Sequence, residues 1–453
     1  MFLLPKAAEP LLAAFSIAFT RPTCKRFLAL LVGSILTTGR RTVTGVLGPV
    51  RGLVPGHFSD FHRVLSRARW SLWTLGRALA MAVVALIPPG QPILVAADDT
   101  VLRHRGPKVY GRGCHRDAVG SSHAITVVCW GHRWVVLAVV VTLPFTSRAW
   151  ALPVLCALYR PREVAARNNR RFKTPCELAR QLGRVLRRWF PDRRLMLLGD
   201  GGFASFDLAR GVHRMGGVLV ARFYDDAGLY EPAPRWPPDR PGPKGRKPIK
   251  GGKLPAPRAT AAHAKPAQAT IRWYGGRTRR VALVSRTGMW YRSGRGVVAV
   301  RWVRVRDLEG THRDEYLFST DPSMTPQQIA EAFTARWCIE TTFQEANAHL
   351  GLATPRQRCE RSVLRTAPCL LGLFSVVSLI AAAHARRHGT RAIRTADRPW
   401  YAKPEPTFAD ALSCVRRLLW RDTILATPRA AGGFKNAPPR LLRYLLDRLA
   451  QAA

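Results

Sequence analysis

The chain has 453 residues, 47% of them apolar, so it can form several structural units around substantial cores and is not an intrinsically disordered chain. Its 72 Lys and Arg against 28 Asp and Glu leave a formal charge of +44, an excess that selects a polyanionic partner and points to nucleic acid. Only 11 of the basic residues are Lys; a GC-rich genome favours Arg over Lys but does not explain so few acids, and nine scattered Cys without a C-x-x-C pair exclude a disulfide framework.

Residues 1–88 read as helical. Within them, 57–73 (HFSDFHRVLSRARWSLW) places Phe61, Leu65, Ala68 and Leu72 at helical spacing, with Arg63, Arg67 and Arg69 on the other sides. A DNA-binding helix and an ordinary amphipathic helix with a solvated basic face both fit that pattern.

From residue 91 the texture changes. Ile93-Leu94-Val95-Ala96-Ala97 predicts a buried strand ending at Asp98. Segments 123–130 and 134–142 predict two more strands, with Gly131-His132 as a tight turn between them. A helix is predicted over 172–190, and a buried strand over Leu195-Met196-Leu197-Leu198 leads to Asp200. A helix from Ser205 and a strand over Val218-Leu219-Val220-Ala221 follow. Three strands, a helix, a strand, a helix and a strand is the order of an RNase H-like fold.

Residues 234–258 hold eight Pro and eight Lys or Arg with one acid, Asp239, which predicts an extended basic loop. Strand-like segments at 270–274, 279–286, 297–305 and 315–319 then predict a β-rich insertion. Thr325 can cap a helix, Pro326 suits its first turn, Gln328 completes a capping box and Gly351 suits the exit, so one helix is predicted over 326–350. A second apolar helix is expected over 363–385 and another over 408–420. The apolar runs 133–145 and 369–383 are shorter than the ~20 residues that span a bilayer, and the first residues lack a charged start and a small-residue cleavage site. An intracellular protein without a membrane partner is therefore expected.

Phosphodiester cleavage and strand transfer need in-line attack on phosphorus, and paired divalent ions can activate the nucleophile and stabilise the leaving oxygen. Hard cations require oxygen ligands, hence converging carboxylates. Asp98 and Asp200, each at the end of a strand, are candidates, and Gly201 and Gly202 leave room for an approaching ligand. Strand parity does not choose between Asp98 and Asp99, because both faces of that strand are apolar. On a continuous helix, Phe333, Arg336, Glu340 and Asn347 fall within about 60° of one another, and Glu345 lies about 140° from Glu340. His115, His123, Cys129 and His132 with Cys114 match no zinc spacing.

These local sequences resemble the DDE transposases of bacterial insertion sequences. Asp98-Asp99-Thr100 resembles their D-x-T motif, and LMLLGDGGF resembles their second motif, an aspartate after a hydrophobic strand. Phe333-x2-Arg336-x3-Glu340-x6-Asn347 resembles Y-x2-R-x3-E-x6-K, with the R-W-x-I-E-x-x-F core intact as Arg336, Trp337, Ile339, Glu340 and Phe343. Phe333 stands where the family has Tyr, and Asn347 where it has Lys. The resemblance spans roughly residues 90–385 and selects Asp98 over Asp99. It implies a catalytic, metal-holding triad of Asp98, Asp200 and Glu340, with Phe333, Arg336 and Asn347 as DNA contacts.

The resulting expectation is an α/β chain: an RNase H-like mixed sheet flanked by helices, interrupted by a β-rich insertion, with a helical N-terminal domain. The expected segments are a DNA-binding domain over 1–88, the first part of the catalytic core over 89–225, a basic loop and insertion over 226–322, the second part of the core over 323–386, and a basic C-terminal region over 387–453. The resemblance implies a transposase that binds terminal inverted repeats, cuts, and joins strands to target DNA with two Mg²⁺ or Mn²⁺ ions. It would act as a homodimer on double-stranded DNA in the bacterial cytoplasm, at the nucleoid. The alternatives are an RNase H-like nuclease without strand transfer and a catalytically inactive DNA-binding descendant of a transposase.

Overall fold

The computed structural model describes residues 8–51, 55–117, 120–122, 124–235, 245–393, 403–421 and 438–451. The chain divides into two compact units: unit 1 comprises 1–88, 99–172 and 340–453, and unit 2 comprises 89–98 and 173–339. The expected N-terminal segment is thus part of a larger body. The expected C-terminal segment belongs to the same unit, although 394–402 and 422–437 lie outside the described residues.

Unit 1 begins with helices α1 (Glu9–Ser16), α2 (Arg21–Leu36), α3 (Val43–Leu47), α4 (Phe58–Ser66) and α5 (Leu72–Val84). The single helix expected over 57–73 is two. The indole of Trp70 donates to the carbonyl of Val64 at 2.7 Å, and the buried Arg365 guanidinium donates to the carbonyls of Val64, Leu65 and Trp70 at 3.0–3.2 Å. These bonds satisfy the orphan carbonyls at the end of α4, and Ser71 then caps α5. Ala68 and Leu72 therefore do not continue the stripe of Phe61 and Leu65.

Strand β1 (Ile93–Arg103) crosses the boundary between the units in sequence, its second half belonging to unit 1. It is followed by β2 (Gly113–Arg116), β3 (Val128–Thr142) and β4 (Ala149–Tyr159). The predicted turn at Gly131-His132 is absent; β3 runs straight through both residues. Glycine is needed at 131 for another reason: a side chain there would collide with the carbonyl of Leu102 on β1. The hairpin instead turns after Thr142, and β4, which has no counterpart among the predicted strands, pairs antiparallel with β3. Pro153 is tolerated within β4 because the register shifts beside it, between Leu137 and Ala138 of β3.

After α6 (Arg162–Arg167), unit 1 resumes with most of α11 (Cys338–Leu350), then α12 (Glu360–His388), α13 (Phe408–Leu419) and α14 (Pro439–Gln451). Thr342 of α11 donates to the Ala151 carbonyl at 2.8 Å and Ser375 of α12 donates to the Pro153 carbonyl at 2.7 Å, so both helices bond the backbone of β4 near its irregular stretch. α12 is longer than the sequence suggests. Among the described residues it is the helix long and apolar enough to cross a membrane, and 72% of its most apolar window is buried within the protein, as in a core helix.

Unit 2 is built on the first half of β1 with α7 (Pro175–Trp189), β5 (Leu195–Leu198), α8 (Phe206–Arg214) and β6 (Val218–Arg222). β1, β5 and β6 lie parallel in that order. A Thr174–Glu177 capping box starts α7, and Ser205 caps α8. The expected β-rich insertion lies within unit 2. β11 (Glu315–Ser319) pairs antiparallel with β6, β10 (Gly296–Asp307) with β11, and β9 (Thr278–Arg292) with β10, while β7 (Leu229–Tyr230) and β8 (Ala267–Arg272) both pair with β9. The insertion thus extends the core sheet from the edge of β6.

Residues 236–244 of the predicted basic loop lie outside the described residues. The rest is tethered: Leu254 N–H donates to Leu229 O at 2.9 Å, and the Lys250 ammonium sits 3.2 Å from the ring centroid of Tyr230. A short helix, α9 (Pro257–His263), closes it.

With β4–β3–β1 in unit 1 and β1–β5–β6 in unit 2, the strands form the large mixed sheet flanked by helices that the sequence order predicts.

Candidate active site

β1 and β5 pair with Ala96 opposite Leu198. Asp98 and Asp200 each follow this last pair by two residues, Asp200 just past the carboxyl end of β5. That end is where open parallel sheets present their ligand-binding groups. Strand β5 is buried at all four positions, and the chain leaves it through Gly199. A Cβ at Gly199 would lie 2.6 Å from that of Phe203, whose side chain is buried, so the sharp exit requires glycine there. The sequence pattern draws attention to Gly201 and Gly202 and gives no sign of Gly199. The Gly202 N–H donates to Asp200 Oδ1 at 2.9 Å, so Asp200 caps the short turn Gly201–Phe203 and its carboxylate is oriented.

The adjacent aspartates have different partners. Asp99 is held by a bidentate pair with Arg133, Nε to Oδ1 at 2.7 Å and Nη2 to Oδ2 at 2.6 Å, within unit 1. Asp98 belongs to unit 2, where Arg336 Nη1 donates to its Oδ2 at 2.9 Å. The Arg336 and Asp98 side chains are 7% and 17% exposed, so this ion pair is largely withdrawn from solvent. It joins the last residue of the 89–98 segment to a residue near the end of the 173–339 segment.

The helix predicted over 326–350 is broken. α10 (Pro326–Ala335) starts with the expected Thr325–Gln328 capping box, and Gly351 has the expected left-handed backbone, φ +58°. Between α10 and α11, however, Arg336 N–H bonds Phe333 O, Trp337 N–H bonds Thr334 O and Ile339 N–H bonds Arg336 O, at 3.0–3.2 Å. These three-residue closures replace the regular α-helical ladder, so the single stripe projected from Phe333 to Asn347 does not exist. The break is where the guanidinium reaches Asp98.

The residues expected at DNA are placed differently from one another. Phe333 is 3% exposed and its ring centroid lies 5.8 Å from the Arg336 guanidinium, while Arg336 itself is 6% exposed. Both side chains are buried, and Arg336 is the one that pairs with Asp98. Asn347 is exposed on α11. Glu340 is partly exposed in the first turn of α11, four residues after Arg336, and begins the part of that helix assigned to unit 1. Glu345 is engaged by His349 Nε2 at 3.1 Å. In the R-W-x-I-E-x-x-F core, Ile339 and Phe343 are buried and Trp337 is exposed, its ring edge-on to Tyr274 at 5.5 Å.

Among the described residues no group of three or more His, Cys, Asp or Glu forms a metal-holding cluster. The strand expected to end at Asp98 continues to Arg103, so Asp98 lies within β1 while Asp200 follows the end of β5; as carboxylates the two nonetheless fit a hard divalent cation in chemistry. Arg336 supplies positive charge to Asp98 in this structure.

The family model described as DDE superfamily endonuclease matches residues 14–280, a span that contains Asp98 and Asp200 and ends before Arg336 and Glu340. Among solved structures, a piggyBac transposase synaptic complex with hairpin DNA is similar at 12% identity and a TM-score of 0.40, over 98% of this chain and 81% of that one. A likeness that distant carries no structural argument. No curated protein matches the chain.

Proposed function

The chain belongs to the DDE superfamily of endonucleases, and from that premise we propose that it is a transposase that binds the ends of its element, cuts them and joins them to target DNA. What supports the reading most is the parallel pairing of β1 with β5 up to Ala96 opposite Leu198, two residues before Asp98 and Asp200, both of which lie inside the matched span. Glu340 is the third carboxylate in this proposal. It is supported by the intact motif around it and by its four-residue tether to Arg336, which is itself held by Asp98. Asp98, Asp200 and Glu340 would hold two Mg²⁺ or Mn²⁺ ions, which when bound supply activation of the attacking oxygen and stabilisation of the leaving one.

The protein's own groups prepare that site. The Gly202 N–H orients Asp200, and the Arg336 guanidinium pairs with Asp98 and orients its carboxylate. The +44 charge would hold the DNA, and the proposal includes a homodimer on two element ends in the bacterial cytoplasm.

A labelled duplex carrying an element end, incubated with target plasmid and Mg²⁺, tests the reading. Cleavage followed by joined product is the expected result, and Asp200→Asn should abolish both. Cutting without joining would favour a plain nuclease. Binding without cutting would favour an inactive descendant.

A further inference from the structure

Four of the sixteen large apolar side chains exposed among the described residues fall within residues 125–130: Ile125 at 64%, Val127 at 38%, Val128 at 57% and Trp130 at 52%. The described residues around them are hydrogen-bonded. Ser121 Oγ accepts from Val127 N–H at 2.9 Å and donates to Val127 O at 3.1 Å, Asp117 N–H bonds Val127 O at 2.8 Å, and Ser122 N–H bonds Ile125 O at 2.9 Å. The Asp117 carboxylate is held by Arg103. β2 pairs with β3 so that His115 is buried on one face, while Cys114 and Arg116 stand exposed on the other, opposite Trp130 and Val128. Arg112 completes that face, with its guanidinium 4.4 Å from the centroid of the Trp130 indole.

Among the described residues that face of β2 and β3 stays exposed, presenting apolar and aromatic side chains among arginines. The arginines on that face, in a chain of net charge +44, favour a polyanion there over a second copy of the chain. DNA has the complementary character: phosphates for Arg116 and Arg112, and apolar sugar and base surfaces for Trp130, Val128 and Ile125. We propose that this face of the paired strands β2 and β3 of unit 1, carrying Arg112, Arg116, Val128 and Trp130, contacts DNA and enters a groove of the bound duplex with Trp130 at its apolar centre. The proposal rests on the transposase reading only in requiring that the protein bind DNA.

The two kinds of contact differ in salt dependence, because only phosphate contacts release counterions. The test is the affinity of the full chain for duplex DNA across a salt series, for wild type, Trp130→Ala and Arg116→Gln, with gel filtration and thermal melting of each. Trp130→Ala should weaken binding roughly tenfold at every salt concentration with the slope unchanged, as for one lost aromatic contact. Arg116→Gln should reduce the magnitude of the slope by about one. Wild-type affinity and slope in a well-folded Trp130→Ala protein would overturn the proposal. So would a Trp130→Ala protein that changes only its oligomeric state, which would assign the face to a second copy. A wild-type protein that does not bind DNA at all would instead sink the transposase reading.

Discussion

Replacing Arg336 with glutamine leaves an N–H donor near Asp98 but removes the charge. The two side chains are mostly buried, and their charge centres lie roughly 4 Å apart, where the attraction at an effective dielectric of 20 is about 4 kcal/mol. Asp98 would then lose its guanidinium partner, and removing one partner of such a largely buried pair costs about 3–5 kcal/mol. Arg336→Gln should therefore be destabilised by about that amount in urea titrations at pH 7 with EDTA present. A divalent ion held by Asp98 and Asp200 would take over the missing charge, so saturating Mg²⁺ should restore about 2–3 kcal/mol to the variant at 100 times its Kd. Wild type should gain less, because the ion must compete with a guanidinium already in place. Arg336→Lys should fall between the two, since a point charge replaces a planar donor. A loss below about 1 kcal/mol in EDTA would show the pair to be no more than a surface contact. Equal Mg²⁺ gains in wild type and Arg336→Gln would refute the claim that Arg336 occupies a cation's place.

Glu340→Gln should abolish cleavage while leaving DNA affinity within about twofold, and Glu345→Gln, whose carboxylate is engaged by His349, should cut normally; filter binding and a cleavage gel on the same preparations decide it. Burial, with the neighbouring His104 adding to it, pushes His132 down to about 4. Its folded value lies below the unfolded 6.5, so the unfolded chain binds more protons between those values. The neutral ring's stability is then complete above about pH 6.5 and is lost as the pH falls toward 4. His132→Gln should flatten that pH dependence of unfolding by about 3 kcal/mol relative to wild type, and parallel profiles would contradict it. Arg416 is 1% exposed, and burial lowers its guanidinium to about 10; it donates to the carbonyls of Ile35, Thr37 and Ala450 at 2.7–3.4 Å. Arg416→Met orphans these acceptors and should cost about 2–5 kcal/mol in denaturant unfolding.

Local signals in the chain were sufficient where the physics is local. The Thr325–Gln328 capping box and the exit at Gly351 depend on residues within one or two turns of each other, and both formed as the sequence predicts. The buried strands before Asp98 and Asp200 were legible because a run of four or five apolar residues has no stable place other than a core. The order of strands and helices followed from those runs, and with it the mixed sheet. What only the tertiary structure decided depends on partners far away in sequence. Asp98 and Asp99 are neighbours on a strand with two apolar faces, and their fates separate because Arg336 comes to one and Arg133 to the other. Alternation alone holds no record of either arginine. Gly131 looked like a turn because glycine's freedom is visible in sequence, whereas its use, admitting the Leu102 carbonyl, requires knowing which strand lies alongside. The break after Ala335 has the same origin: a helical wheel assumes an unbroken ladder of hydrogen bonds, and the long-range ion pair between Arg336 and Asp98 lies where that ladder is interrupted.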